Sequence, residues 1–532
     1  MIKLTYCDLI FMGIFLPITI LLYNIIPQKH RAKILLIASY IFFWSISGKL
    51  IIYLLATTLL MYVFSLVISK KQNKRKIELQ TAEKKEKKII KEKYLKKTRL
   101  ILVFNVVILL GMVLVLKYSS FIGNNINSLF NLIGHPINLK IAHFAIPIGI
   151  SFYTLQAISY MIDVYKEKIE PDKNLGRLAL FISFFPQIME GPICRYEETA
   201  IQLWKGERTS YKSLTFGIQR IGLGLMKKLI IADRLDILVS NVFSNYGSYD
   251  GGISAIAMIL YTLQLYMDFS GVMDIVIGIG EIFNVKMPEN FKQPFFSKSV
   301  SEFWTRWHIT LGAWFRDYIY YPVSMSKKSK KMTTTLRKKI GKYYGPLLVS
   351  SVALFCVWIC NGIWHGSAWN YIFFGMYHFA FILTGRFIEP ISKNFYKKLK
   401  ISEKNKGLIL FKIIRTTVLV FFGELFFRAE GLKAGFNMFG KIFTNFSLNS
   451  LSNGEILKLG LNWQDFMIVG LFTVVFLIIS IRKEQGNSIR ENISKKNITI
   501  RWTCYFAIIF AIIIFGAYGE GYVPVDPMYA QF

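Results

Sequence analysis

The sequence predicts an all-α polytopic integral membrane protein with about eleven spanning helices, plus re-entrant and amphipathic interfacial helices. Three observations carry that expectation. Of 532 residues, 53% are hydrophobic and only 18% charged, a balance too apolar for a soluble chain. The apolar residues gather in long runs: 7–26, 50–68, 100–116, 464–481 and 503–517 each approach the roughly 20 residues that cross about 30 Å of hydrocarbon. The formal charge of +33 collects in the loops between those runs, as the positive-inside rule requires. Soluble enzymes, disordered scaffolds and secreted modules are thereby excluded. No nucleic-acid partner is expected, because the basic residues are not interleaved with aromatics on a soluble face. The obligatory partner is the lipid bilayer.

Lys3 precedes the run 7–26, but no small-residue cleavage site closes it and further runs follow, so it reads as a first span and not as a signal. Spans at 34–47 and 50–68 come next. The block 69–99 then carries fourteen Lys/Arg and four Glu and must be cytoplasmic, as a solvated helix or a flexible loop; three preceding spans place the N-terminus outside. After 100–116, the Asn-rich segment 117–143 reads as polar and external, and 144–162 returns. The runs 178–192, 214–231 and 253–283 are interrupted by Pro186, Pro192, Lys227, Lys228, Asp268 and Asp274. The last is too long for a simple span, so broken or re-entrant helices are expected there. Residues 323–342 hold eight Lys/Arg and no acid, hence lie inside. Spans at 344–360, 368–387, 407–426, 464–481 and 503–517 follow and leave the C-terminus outside. No inverted repeat is visible, which argues against a secondary transporter. Three regions are delimited: 1–99, N-terminal spans and basic loop; 100–400, the core; 401–532, a helical extension.

Two segments carry chemistry. In 302–322, Trp304, Trp307, His308, Leu311, Trp314, Phe315 and Tyr318 recur at helical spacing and form one aromatic face, interrupted by Arg306, Arg316 and Asp317. This reads as an amphipathic helix at the cytoplasmic interface, its tryptophans acting as anchors. A sharper reading makes it the wall of an entrance for an anionic substrate, with Arg306 and Arg316 as phosphate partners. The second segment, 360–370, is a short break between apolar runs and holds His365 between Trp364 and Gly366. An ionisable group at membrane depth is a functional candidate by default, and histidine moves protons near neutral pH. The bland alternative is a hydrogen-bonded histidine at a helix end. Trp304, Trp307, Asp317, Asn361 and Trp364 complete the candidate substrate-binding residues. The five cysteines form no CxxC pair, and no HExxH motif occurs; no metal site is expected.

FWTRWHITLGAWFRDYIYYP (303–322) followed by NGIWHGSAWNYIFFGMYH (361–378) resembles the paired signature of membrane-bound O-acyltransferases. PIGISFYTLQAISYMIDVY (147–165), FFPQIMEGPICRYEE (184–198), YMDFSGVMDIVIGIG (266–280), NFKQPF (290–295) and FFRAEGLKAGFNMF (426–439) agree with it. Within that superfamily the chain is similar to the bacterial alginate and peptidoglycan O-acetyltransferase membrane subunits; the Lys/Glu block 69–99 departs from the alginate type. The resemblance implies a multi-pass plasma-membrane enzyme with a helical funnel, which a cytosolic acyl thioester enters while the acceptor waits outside. It implies catalytic roles for His365, as general base, and for His308, as the group that orients donor or acceptor. The expected co-substrate is acetyl-CoA or another acyl thioester, with no tightly bound cofactor. The expected acceptor is a cell-envelope polysaccharide, reached directly or through an extracytoplasmic acyl-transfer partner protein. Three alternatives stay open: D-alanyl transfer from a carrier-protein thioester to teichoic acid, a transporter of an acylated intermediate, and a non-catalytic assembly subunit.

Overall fold

A computed structural model of the chain describes residues 4–137, 139, 141–518 and 525. The placement of the two termini outside the membrane therefore concerns residues that lie largely outside the described ones. Secondary structure is helical, and the described residues add only one isolated bridge, between Phe291 and Trp307. The chain divides into two units, Met1–Ile218 with Val276–Pro288, and Gln219–Ile275 with Glu289–Phe532.

In the first unit a π-helical turn, Phe11–Phe15, enters α1 (Leu16–Ile25), and α2 (Gln28–Ser47) and α3 (Ile51–Thr81) flank a short turn at Gly48–Leu50. α3 and α4 (Glu86–Leu132) run past their apolar stretches. Their 31 and 47 residues correspond to about 46 and 70 Å, against about 30 Å of hydrocarbon. The basic block 69–99 is thus a helical hairpin, with the Tyr94 hydroxyl donating to Glu78 across it. The segment 117–143, expected to be polar and external, is helical as far as Leu132. Packing on neighbouring helices overrides the weak helix propensity of its Asn, Ser and Gly residues. α5 (Ile150–Tyr165), α6 (Leu175–Ser183), α7 (Phe185–Ile188), α8 (Tyr196–Lys205) and α9 (Tyr211–Leu225) follow. The run 178–192 does break, between α6 and α7. The Tyr6 hydroxyl donates to the Phe185 carbonyl at 2.8 Å and the Phe185 N–H donates to Ser39 Oγ at 3.0 Å, so the loosened backbone is satisfied inside protein.

In the second unit α9 passes through a π-helical segment, Met226–Ala232, into α10 (Asp233–Ser244). The wider turn leaves the adjacent lysines 227 and 228 both facing inward. α11 (Gly251–Ile282) is one continuous helix of 32 residues, where a broken or re-entrant element was expected. Ion pairing explains the difference. Lys228 Nζ lies 2.5 Å from Asp233 and 2.7 Å from Asp268, while Asp274 sits 2.7 Å from Lys227 and 3.0 Å from Arg220. The acids that looked like interruptions are neutralised by cations on α9 and the π segment, and need no break in the helix.

Next come α12 (Val300–Arg306), α13 (Ile309–Phe315), a π turn at Arg316–Tyr320 and α14 (Tyr321–Ser324). α15 (Lys327–His365), kinked at Ile340–Gly341, and α16 (Trp369–Lys398) form an antiparallel pair that crosses at two glycines. A Cβ on Gly362 would lie 2.6 Å from the Tyr371 carbonyl oxygen, and one on Gly375 would lie 2.4 Å from that of Trp358. α17 (Lys406–Arg428), α18 (Leu432–Thr444), α19 (Asn449–Ser452), α20 (Trp463–Glu484), α21 (Ile489–Ser494) and α22 (Ile498–Phe515) complete the chain. Seven helical segments among the described residues are long and apolar enough to cross a membrane, with Gln28–Thr81 counted once although it holds two of the expected spans. The expected eleven include shorter or more polar helices such as α5 and α17.

Candidate functional site

The segment 302–322 is not one interfacial helix. It breaks at His308, whose φ of 47° and ψ of 51° place a non-glycine residue in the left-handed region. Asn290 holds this break. Its backbone carbonyl accepts from the Ile309 N–H at 3.0 Å, and its side-chain Oδ1 accepts from both the N–H and the hydroxyl of Thr310, each at 3.0 Å. The same Oδ1 lies 3.3 Å from His308 Nδ1. With the ring proton on Nδ1 that contact is a hydrogen bond, and the lone pair is left on Nε2. His308 is only 2% exposed, and burial pushes its pKa down to about 3. The imidazole is accordingly neutral at physiological pH. The predicted membrane-anchoring tryptophans are also interior: Trp307 and Trp314 are buried, and Trp307 stacks on Phe303 with ring centroids 5.3 Å apart.

His365 is the last residue of α15 and is 3% exposed. Its ring packs against Trp364, Phe374 and Phe427 at 5.0, 5.7 and 5.0 Å. The turn that follows is tight, since a Cβ on Gly366 would fall 2.2 Å from the Tyr371 ring. Trp364 joins the two histidines: its ring lies 5.0 Å from that of His365 and 5.6 Å from that of His308. Two motifs more than fifty residues apart in sequence thus meet on one indole. Asn370 fixes the far wall, its Nδ2 donating to the carbonyls of Phe426, Phe427 and Ala429 at 3.2–3.4 Å at the end of α17.

The remaining candidates divide. Asn361 is buried one turn before His365 on α15, and its Oδ1 has no hydrogen-bond partner among the described residues. Trp304 packs on Trp358 at 5.0 Å and on His378 at 4.8 Å. Arg306 is held by Glu302 at 2.9 Å and Glu484 at 2.8 Å, and Arg316 pairs with its neighbour Asp317 at 3.5 Å on the surface. The structure therefore gathers His308, Trp364, His365 and Asn361, keeps Trp304 beside them, and leaves Arg316 and Asp317 apart. Sequence reasoning missed the clamp at Asn290, although NFKQPF was noted. It also missed a cavity of about 60 Å³ lined by Arg220, Lys227, Ser270, Asp274, Asn290 and Lys483. Lys227 and Asp274 had been noted only as interruptions of apolar runs.

The model of the MBOAT, membrane-bound O-acyltransferase family, matches residues 36–336. That span contains His308 and ends before His365. A protein of Pseudomonas syringae pv. tomato named "Probable alginate O-acetylase AlgI" is 32% identical over 454 residues, covering 84% of this chain and 77% of that one. A peptidoglycan O-acetyltransferase of Helicobacter pylori is 29% identical over 344 residues, 60% of each chain. A teichoic acid D-alanyltransferase of Bacillus subtilis is 29% identical over 287 residues, 53% of this chain and 69% of that one. Two buried histidines sharing one half-buried tryptophan, inside an all-helical multi-pass membrane protein, belong to a member of the membrane-bound O-acyltransferase family.

Proposed function

We propose that this O-acyltransferase moves an acetyl group from a cytosolic thioester, acetyl-CoA, toward a cell-envelope polysaccharide, directly or through an extracytoplasmic partner protein. The enzyme resides in the plasma membrane with both termini outside. The observation that supports the reading best is the meeting of His308 and His365 on Trp364 in a buried aromatic pocket. His365 acts as general base. A ring nitrogen takes the proton of the acceptor hydroxyl, the oxygen attacks the thioester carbonyl carbon, the C–S bond breaks, and the imidazolium returns the proton to the departing sulfur as a thiol. His308, fixed by Asn290 and neutral at working pH, orients the donor. Relatives named for O-acetylation of alginate and peptidoglycan support an acetyl group and a polysaccharide acceptor.

The teichoic acid relative favours a second reading, D-alanyl transfer from a carrier-protein thioester, for which the basic α3–α4 hairpin offers a docking surface. The two are separated by incubating purified protein in nanodiscs with radiolabelled acetyl-CoA or with a D-alanyl-loaded carrier protein. Loss of label from acetyl-CoA into an acceptor is the expected result. Turnover of the carrier thioester alone would replace the first reading with the second.

A further inference from the structure

A cavity beside the Asn290 clamp gathers charged side chains in the second unit. Its lining contributes three cations, Arg220, Lys227 and Lys483, and two carboxylates, Asp274 and Glu289. Arg220 is spanned by both acids, at 3.0 Å to Asp274 and 2.6 Å to Glu289, and Lys227 is paired with Asp274 at 2.7 Å. Lys483, the penultimate residue of α20, lines the cavity and forms no ion pair among the described residues. One positive charge is therefore in excess.

The floor holds a second, independent sign of a ligand. Ser270 lines the cavity and is 3% exposed, yet its hydroxyl oxygen has no hydrogen-bond partner among the described residues. A buried hydroxyl left unsatisfied is costly, and an oxyanion in the cavity would accept from it. The volume of about 60 Å³ corresponds to roughly two waters and suits one compact oxyanion. Asn290 forms part of the same lining, so the cavity adjoins the clamp that sets His308.

Tyr266, Gln293, Phe476 and Ser480 also wall a second cavity of about 420 Å³, almost wholly apolar, lined further by Ile259, Leu263 and Phe421. An apolar cavity thus adjoins the cationic one across this shared wall.

We infer that the Arg220–Lys227–Ser270–Lys483 cavity is a binding site for a phosphate ester at the head of an extended chain. Lys483 and Lys227 supply charge-assisted contacts, and the Ser270 hydroxyl donates from the floor. This rests on the acyltransferase reading for its most direct source, the phosphate of a phosphopantetheine arm, which CoA and carrier-protein thioesters share. The other source is the headgroup of an anionic phospholipid, with its chains in the apolar cavity.

The test is calorimetric titration of the full-length protein in phosphatidylcholine nanodiscs with 4′-phosphopantetheine and with pantetheine, which lacks the phosphate. The phosphorylated probe should bind at least about tenfold more tightly, and Ser270→Ala and Lys483→Ala should each remove about three- to tenfold of that advantage without weakening pantetheine. If the lipid is the source, phosphatidylglycerol in the nanodisc should abolish the advantage, and native mass spectrometry should show the lipid retained by wild type and lost from Lys483→Ala. If the donor arm is the source, phosphatidylglycerol should leave the advantage intact. Equal binding of the two pantetheines in wild type, together with phosphatidylglycerol retention unchanged by either substitution, would overturn the inference. Acetyl transfer measured on the same samples keeps the outcomes apart: turnover without phosphate-dependent binding removes this site and leaves the enzyme, whereas phosphate-dependent binding without turnover removes the acetyltransferase reading and leaves the site.

Discussion

The two histidines of the site are held in different ways. His308 sits on a turn in a left-handed backbone conformation, and that turn is fixed by three hydrogen bonds to Asn290, eighteen residues earlier. His365 ends a long helix among three aromatic rings, and its position follows from where α15 and α16 cross at Gly362 and Gly375. One is set by a local polar clamp, the other by helix packing. A clamp suits a group that must hold one orientation, and a ring cage suits a group that shuttles a proton in a water-poor setting. The positioning role proposed for His308 and the base role proposed for His365 are consistent with this contrast.

The largest effect should come from His365. Its replacement by Ala should lower the acetyl-transfer rate by about 10²–10⁴-fold with little change in thermal stability. A similar loss in His308→Ala, with a donor KM left unchanged, would erase the contrast.

Asn290→Ala should come next. It leaves the buried Thr310 N–H and hydroxyl without their acceptor, which costs about 1–3 kcal/mol in stability, and it frees the His308 ring. Turnover should fall about ten- to a hundredfold with the wild-type pH profile retained, because His365 is untouched. Gly375→Val tests the other side, since it forces α16 away from the Trp358 carbonyl. Overpacking of this kind costs about 1–3 kcal/mol, and the loss should show in both thermal midpoint and activity.

A smaller effect lies in pH dependence. The folded-state pKa of His308 is about 3, below the ordinary value of 6.5, so its contribution to stability is complete above about pH 6.5 and is lost as pH falls toward 3. Across that window the folding equilibrium should weaken by up to about tenfold per pH unit, and His308→Gln should flatten the slope. The smallest effects should be at the arginines proposed from sequence. Arg316→Ala removes only a surface pair with Asp317 and should change turnover less than about threefold.

Much of this could be read from residues alone. Uninterrupted apolar runs and basic loops report burial in lipid directly, whereas His365 was a candidate on equal terms with a hydrogen-bonded helix-end histidine until the family resemblance singled it out. The break at His308 was hidden because helical periodicity records which face is buried and does not register a distant Asn that stabilises one left-handed residue. The continuity of α11 was hidden for a related reason. Asp268 and Asp274 look like interruptions until Lys228, Lys227 and Arg220 arrive from another helix to neutralise them. The cavity was illegible because its cations come from α9, the π segment and α20, and α20 lies more than two hundred residues along the chain from the other two.

The most direct test is a quenched-flow measurement of acetyl transfer from radiolabelled acetyl-CoA in nanodiscs, comparing wild type, His365→Ala and His308→Gln from pH 6 to 9. The account predicts that His365→Ala loses the rate at every pH, while His308→Gln keeps a reduced rate and a higher donor KM with the wild-type pH profile. Transfer at the wild-type rate in His365→Ala would contradict it.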